Sequence, residues 1–580
     1  MSISSSAMYK FWLGNEYFDE QTREELQKIK DDPKEIEDRF YKYLDFGTGG
    51  LRGLIGAGTN RMNIYTVRRA SQGLADFINS IGAADRGIVI AYDSRNMSPE
   101  FALETAKVFA GNGIKAYLFD ELRPTPELSF AVRHLKAAAG VVITASHNPK
   151  EYNGYKVYGE DGGQLPLEES NKVLEFMNKI EDITCVKLMD KDEAIEKGLI
   201  KIIGKEVDDA YISKLKTLCV NPDIARSVGE NFKIVYTPLH GSGNKPVRRI
   251  LDEIGFKNVL VVKEQELPDK NFSTVAYPNP EEKEAFTLAI ELAKAENVDL
   301  IIGTDPDCDR VGVVARNRDG EYVTLTGNQT GCLLLEYILS QKKAKGELPQ
   351  NGFVVKTIVT TELAKQIAKE YGVELIEVLT GFKFIGEQIK LLDENGDKKY
   401  LFGFEESYGY LAGTFVRDKD AVVASMLIAE MAAYYKSKNM SLYDALMELL
   451  NKYGYTIEGI KSYTLKGKEG VDKIKDAMEK LRKDEITKFG TVQVAAVRDY
   501  QKGERYEIST GKRESTNLPK SDVLYYELQD GKSWFCIRPS GTEPKIKIYY
   551  GVTDNGIDEA KAKLEHVQTN VLGVVENLLF

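Results

Sequence analysis

The chain has 580 residues, 78 of them Lys or Arg and 89 Asp or Glu, for a formal charge of −11, and 42% of its residues are apolar. At about 150 residues per domain that is room for roughly four buried cores, and the composition excludes disordered and fibrous classes. The acidic balance, with no long basic run, argues against nucleic acid and anionic membranes as partners. Five scattered cysteines without a CxxC pair argue against a disulfide framework or a thiolate zinc site. Four histidines without HxxxH or HxH spacing argue against a histidine metal centre. No stretch reaches the roughly 18 apolar residues of a spanning helix, and the first six residues lack a signal-peptide core, so a cytoplasmic protein is expected.

A charged, helix-forming leader covers residues 16–43. Short apolar strands are expected at 87–92, 114–119 and 140–145, with helical stretches between them. The alternation returns at 233–236, 298–303, 352–356 and 400–404. Phe286, Ala289, Ile290 and Ala293 recur at helical spacing, marking a helix that follows the Pro278 to Pro280 breaker and ends before the strand at 298. Beyond about residue 455 come longer polar strands, a charged helix near 471–485, a hairpin over 533–552 and a closing helix from about Asp558. The expected fold is α/β, with three mixed α/β domains (1–205, 206–318 and 319–455) followed by a C-terminal α+β domain (456–580).

Four loops carry chemistry. TASHNP, residues 144–149, follows an apolar strand and sets the Ser146 hydroxyl at a strand's C-terminal edge, where α/β sheets bind ligands. In an extended segment the adjacent His147 points to the opposite face, and there is no GxSxG elbow, so a hydrolase-type Ser–His pair is not expected. A serine without a local base suits carrying a phosphoryl group, with a cation supplying the activation. By itself the segment also reads as an ordinary turn. GTDPDCDR, residues 303–310, spaces Asp305, Asp307 and Asp309 at i, i+2 and i+4, on one side of an extended segment. Three like charges need a cation, and an all-oxygen set suits Mg²⁺. The alternative is a solvated acidic loop, and an EF-hand is excluded by the missing Gly and distal Glu. RPSGTEPK, residues 538–545, gathers a guanidinium, two hydroxyls, an ammonium and backbone N–H groups around a glycine, which makes either a dianion receptor or a plain hairpin turn. GFEESYG, residues 403–409, offers acceptors between glycines to a sugar's hydroxyls, or is a structural turn. Lys156 and Lys383 gain meaning only beside these loops.

Together and in this order the loops resemble the α-D-phosphohexomutase superfamily, the phosphoglucomutases and phosphomannomutases, over nearly the whole chain. GTGGLRG (47–53), TPLHGSG (237–243) and GFEESYGY (403–410) look most like its larger bacterial phosphoglucomutases, related to the phosphopentomutase branch. The resemblance implies four domains around one active-site cleft, with Ser146 as the phosphorylated catalytic serine. It implies an Mg²⁺ site of Ser146, Asp305, Asp307 and Asp309. Glu405 and Ser407 would hold sugar hydroxyls, with Lys383 and His240 also on the substrate side. Arg538, Ser540, Gly541, Thr542 and Lys545 would grip the phosphate that is not reacting. Arg52, His147, Lys156 and Arg310 match positions lining the reaction centre, and Lys156 is the candidate general acid or base. The implied activity interconverts glucose 1-phosphate and glucose 6-phosphate through a phosphoserine enzyme, with glucose 1,6-bisphosphate as intermediate and activator. A phosphomannomutase or phosphopentomutase of the same mechanism is the alternative, and a metal-dependent sugar phosphatase a more distant one. Expected partners are therefore small-molecule sugar phosphates. Two departures from the family pattern stand out. Pro306 and Cys308 replace common glycines without altering the carboxylate spacing, while the sugar loop matches neither the GEMSG nor the GEEKFGG form.

Overall fold

The computed structural model describes residues 4–47, 49–465, 467–483, 487–540 and 544–580. Three mixed sheets and one antiparallel sheet follow one another along the chain. The first has the spatial order Gly50–Leu54, Tyr152–Gly159, Ala139–Ile143, Ile88–Tyr92, Ala116–Phe119, Ile200–Ile203. Its last four strands are parallel, while Tyr152–Gly159 runs antiparallel to both neighbours. The central strands Ala139–Ile143, Ile88–Tyr92 and Ala116–Phe119 are nearly continuous apolar runs because helices cover both faces. Ile88 and Ile90 pack with Leu74 and Phe101 on one face, and Val89 and Ala91 pack with Leu128 and Tyr211 on the other.

The second sheet has the order Tyr322–Leu325, Val311–Arg316, Leu300–Thr304, Lys233–Thr237, Asn258–Val261, and the third Glu374–Val378, Gly352–Thr357, Lys399–Glu405, Gly409–Leu411. One device recurs in all three. A parallel strand turns directly into an antiparallel neighbour: Ala139–Ile143 into Tyr152–Gly159, Leu300–Thr304 into Val311–Arg316, and Lys399–Glu405 into Gly409–Leu411. Those turns are the serine, aspartate and sugar loops. Each lies at the C-terminal end of a strand, where backbone groups leave the ladder and can face a ligand. In the fourth sheet the turn between Trp534–Pro539 and Lys545–Asp554 carries the RPSGTEPK segment.

The fourth sheet packs one face on the helices Gly467–Lys483 and Ile557–Leu579, through Phe489, Tyr526, Phe535, Ile548 and Val571. A smaller apolar cluster of Tyr500, Tyr525, Trp534 and Tyr549 meets Ile358, Val359 and Leu379 of the third sheet's unit. Two sequence readings change. The leader at 16–43 is two helices, Glu20–Lys28 and Pro33–Phe40, preceded by a third, Ser5–Gly14, because Asp19 and Asp32 cap new starts and Pro33 opens the last. Strand Tyr322–Leu325 pairs with Val311–Arg316, so the boundary expected at 318 falls inside a hairpin whose turn is closed by Asn317 accepting from the Asp319 and Glu321 N–H groups. Among the described residues no helix is long and apolar enough to cross a membrane.

Candidate active site

After strand Ala139–Ile143 the chain turns sharply, and Ser146 adopts φ +53°. That left-handed conformation costs a non-glycine residue about 1–2 kcal/mol, and its surroundings offset it. Ser146 N–H donates to Thr144 Oγ1 at 2.7 Å, and the Thr144 hydroxyl donates to Asp93 Oδ2 at 2.7 Å. The fully buried Arg95 guanidinium donates to Pro149 O at 2.9 Å and Tyr152 O at 3.2 Å, and also to the carbonyls of Ser146 and Asn148. Asp93 Oδ1 accepts from the Arg95 N–H and the Ser98 hydroxyl. Sequence reasoning missed this pair. Its signal was the charged YDSR segment (92–95) closing an apolar strand.

The left-handed turn also reverses the expectation for His147. In an extended chain its ring points away from Ser146, but here His147 Nδ1 lies 3.3 Å from Ser146 Oγ. Burial, reinforced by the Arg310 charge, holds His147 well below the usual imidazole range, so the ring is neutral.

The Ser146 hydroxyl donates to Asp305 Oδ2 at 2.8 Å. One carboxylate oxygen from each of Asp305, Asp307 and Asp309 lies within 4.8 Å of the others, and all three residues are buried. They converge through a turn rather than along an extended segment: Cys308 has φ +52°, and Asp305 Oδ1 accepts from the N–H groups of Asp309 and Arg310. Asp307 Oδ1 and Asp309 Oδ1 are buried with no hydrogen-bond partner among the described residues. A buried acceptor left so costs about 1–3 kcal/mol, more when charged, and a hard divalent cation with oxygen ligands removes that cost. These residues therefore fit a metal ion.

Lys156 Nζ donates to Asp307 Oδ2 at 2.8 Å and to Asp309 Oδ2 at 3.4 Å, and Lys419 Nζ lies 3.2 Å from Asp309 Oδ2. Thr125 donates its hydroxyl to Asp307 Oδ2 at 3.0 Å. Burial together with Asp307 and Asp309 pushes Asp305 well above the carboxylate range. Burial acts on Asp307 too, but Lys156 outweighs it and holds that group below the usual range. Burial opposes the charge on Lys156, yet Asp307 and Asp309 keep its pKa above that of an ordinary lysine. Lys419 was missed because RDKD (417–420) reads as a solvated charge run.

TPLHGSG packs behind the aspartate turn. A Cβ on Gly241 would lie 2.5 Å from Pro306 Cα and one on Gly243 2.8 Å from Cys308 Sγ, so neither position admits a side chain. His240 is buried there, with Nδ1 3.0 Å from Leu267 O and Nε2 2.9 Å from Thr274 Oγ1, so both ring nitrogens are engaged.

A cleft of about 540 Å³ opens from this centre, lined by His147, Arg310, Glu405, Ser407 and Arg538 from the sequence-derived set. Glu281, Glu406 and Lys547 line it as well. Arg310 is ion-paired with Glu281. Burial pushes Glu405 up to about 7, with Lys419 acting the other way. Glu406 accepts from the Thr357 and Thr360 hydroxyls at 3.3 Å. Arg538 and Lys547 are cross-strand register partners. Burial, with Lys545 and Arg538, lowers Lys547 below an ordinary lysine, as expected of cations gathered for an anion. Strand alternation was the missed signal, since Lys547 is two residues past Lys545 and on the same face.

Ser540 N–H donates to Lys545 O at 2.7 Å and closes the turn. Gly541 and Thr542 lie outside the described residues. Lys383 is half-buried on helix Phe382–Asn395, its Nζ 5.0 Å from the Phe384 ring centroid, and it does not line the cleft. Arg52 sits on strand Gly50–Leu54 opposite Gly154, beside the strand bearing Lys156, and its charge acts on His147 and Lys156.

Family models for phosphoglucomutase/phosphomannomutase match the chain at alpha/beta/alpha domain I (44–184), domain II (209–320) and domain III (326–453). A phosphoglucomutase of Staphylococcus saprophyticus is 38% identical over 565 residues, 96% of this chain and 99% of its own. One of Staphylococcus haemolyticus is 39% identical over 523 residues, 90% of this chain and 93% of its own. The open form of pp63/parafusin, a phosphoglucomutase from Paramecium, superposes with a TM-score of 0.67 at 16% identity, covering 92% of this chain and 95% of its own. A phosphoglucomutase/phosphomannomutase family protein from Burkholderia thailandensis gives 0.63 at 19% identity, over 92% and 97%. At such identities the two structures speak to the fold, while the domain models and the near full-length relatives speak to descent. The chain belongs to the phosphoglucomutase/phosphomannomutase family of the α-D-phosphohexomutase superfamily.

Proposed function

We propose that this chain is a phosphoglucomutase, interconverting α-D-glucose 1-phosphate and glucose 6-phosphate through phosphorylated Ser146 and a glucose 1,6-bisphosphate intermediate. The observation that carries the reading is the Ser146 hydroxyl 2.8 Å from Asp305, within a buried carboxylate triad that opens on a cleft bearing Arg538 and Lys547. Glucose rather than another sugar is supported by the phosphoglucomutase relatives.

Asp305, Asp307 and Asp309, with the Ser146 oxygen, are the residues that would hold Mg²⁺; when bound, the ion draws charge from the transferring phosphoryl group. In the first half-reaction the bond between phosphorus and Ser146 Oγ breaks and one to the free sugar hydroxyl oxygen forms, while the hydroxyl proton passes to a base. Lys156, kept charged by two carboxylates, is the acid that returns a proton to the serine oxygen. Arg538, Lys547 and the turn at Ser540 hold the other phosphate by charge and hydrogen bonds. Such a grip accepts either end of the bisphosphate, as a mutase requires. Glu405 and Ser407 meet the sugar hydroxyls between these two ends. The cleft walls keep water from the phosphoserine.

A coupled assay with glucose 1-phosphate, Mg²⁺ and catalytic glucose 1,6-bisphosphate, beside mannose 1-phosphate and ribose 1-phosphate, tests the reading. The glucose rate is expected to exceed the others, and Ser146→Ala to lose roughly 10³-fold or more. Wild-type turnover in Ser146→Ala would refute the carrier, and a dominant mannose or ribose rate would refute the substrate.

A further inference from the structure

Arg95 and the loop that covers it tie the second unit to the serine turn of the first. One buried guanidinium meets four backbone carbonyls of the serine turn, those of Ser146, Asn148, Pro149 and Tyr152. Its face is covered by Phe272, whose ring centroid lies 5.0 Å away. Phe272 is itself buried and held at φ +47°, a backbone region that bulky residues rarely occupy. Strain of this kind persists only where the surroundings over-determine it, and they do. Asp269 accepts from the N–H groups of Asn271 and Ser273. His240 engages Leu267 O and Thr274 Oγ1 on either side of Phe272, and Gln265 Nε2 donates to Thr274 Oγ1 at 3.1 Å. Thr237 donates to Gln265 Oε1 at 2.6 Å. Thr237 and His240 of TPLHGSG thus seat the loop that lays Phe272 on Arg95.

We propose that Arg95 is a positioning residue that holds Ser146 in its left-handed turn, and that Phe272, seated by Thr237 and His240, locks Arg95 from the second unit. The geometry of the phosphoryl carrier is then set across the boundary between the two units, and His240 acts behind the serine rather than on the sugar. The proposal deepens the functional reading above and rests on Ser146 being the carrier.

Full-length wild type, Phe272→Ala, Phe272→Leu and Arg95→Lys are mixed with glucose 1,6-bisphosphate, and phosphorylation of Ser146 is followed by rapid quench and mass spectrometry. Steady-state kcat and KM for glucose 1-phosphate are measured beside it, with circular dichroism and Tm as folding controls. Cation–π contacts, from exposed to desolvated, correspond to about a 3- to 30-fold effect on rate. Phe272→Ala is expected to slow serine phosphorylation and kcat by that factor with KM unchanged, because Arg538 and Lys547 lie elsewhere in the cleft. Phe272→Leu, which keeps apolar bulk and loses the ring face, falls with it. Arg95→Lys falls further, since an ammonium cannot fork to four carbonyls; if it fails to fold, the Phe272 pair decides. Folded Phe272→Ala that is phosphorylated at the wild-type rate, or that loses KM and kcat together, overturns the proposal. If wild type itself gains no phosphoryl group at Ser146, the functional reading fails instead.

Discussion

Replacing Lys156 with Met removes a charge while keeping the aliphatic stem, and so leaves two buried carboxylates without their shared ammonium. The ammonium donates to Asp307 Oδ2 at 2.8 Å and reaches Asp309 Oδ2 at 3.4 Å, with its side chain 14% exposed. Removing one partner from a buried ion pair costs about 3–5 kcal/mol, because the remaining charge is uncompensated. Lys419, 3.2 Å from Asp309 Oδ2, retains part of the compensation, so the lower end, about 3 kcal/mol, is expected. A divalent ion on Asp305, Asp307 and Asp309 would remove that penalty, so it should bind Lys156→Met more tightly than wild type. At about 1.4 kcal/mol per factor of ten, the gain is roughly 100-fold. Isothermal titration with Mg²⁺ reads it directly, and the Mg²⁺-induced rise in Tm grows in parallel. Mutase turnover falls at the same time, since the candidate acid is gone. Tighter metal and slower catalysis in one variant is a combination that general damage does not produce. Unchanged or weaker Mg²⁺ binding in folded Lys156→Met would refute the view of Lys156 as counter-charge to the triad.

Lys547→Met should raise KM for glucose 1-phosphate by roughly 10- to 150-fold, the value of one charge-assisted contact of about 1.5–3 kcal/mol; a KM within twofold of wild type would remove Lys547 from the phosphate grip. Asp420 accepts from the Val422 and Val423 N–H groups and from the Tyr211 hydroxyl, and burial raises its pKa from 3.8 to about 6. A folded-state pKa above the unfolded one means the stabilising proton is bound at low pH and lost as pH rises through about 6. Wild type should therefore lose about 1–2 kcal/mol of stability between pH 5 and 7.5 relative to Asp420→Asn. Parallel denaturation curves for the two proteins would show that Asp420 ionises without penalty.

Much of this protein is legible before any coordinates. Runs such as residues 139–143 and 300–304 bury every side chain, and that continuous apolarity dictates strands covered on both faces. The motif residues Ser146, Asp305, Asp307, Asp309 and Glu405 stand at strand ends because turn-forming polar residues abruptly replace apolar ones there. Periodicity also marks the closing helix, Ile557–Leu579, and the hairpin that carries Arg538.

What sequence alone could not determine is direction and partnership. Adjacent side chains point apart only in extended backbone, so the left-handed turns at Ser146 and Cys308 decide that His147 reaches the serine and that three aspartates converge. Arg95, Lys419 and Glu281 look in sequence like solvated charges, and each acquires its role from a group far away along the chain: a carbonyl at Ser146, a carboxylate at Asp309, a guanidinium at Arg310. His240 shows the converse, a residue in a recognisable motif whose ring nitrogens are both taken up by backbone and hydroxyl partners within its own unit. Local pattern determined which segments are strands, helices and turns, because apolar period and turn chemistry act over a few residues. Which charges meet, and with what protonation, was decided by packing alone, since burial and ion pairing depend on groups that the chain brings together from tens of residues away, as for Glu281 and Arg310, to more than a hundred, as for Lys419 and Asp309.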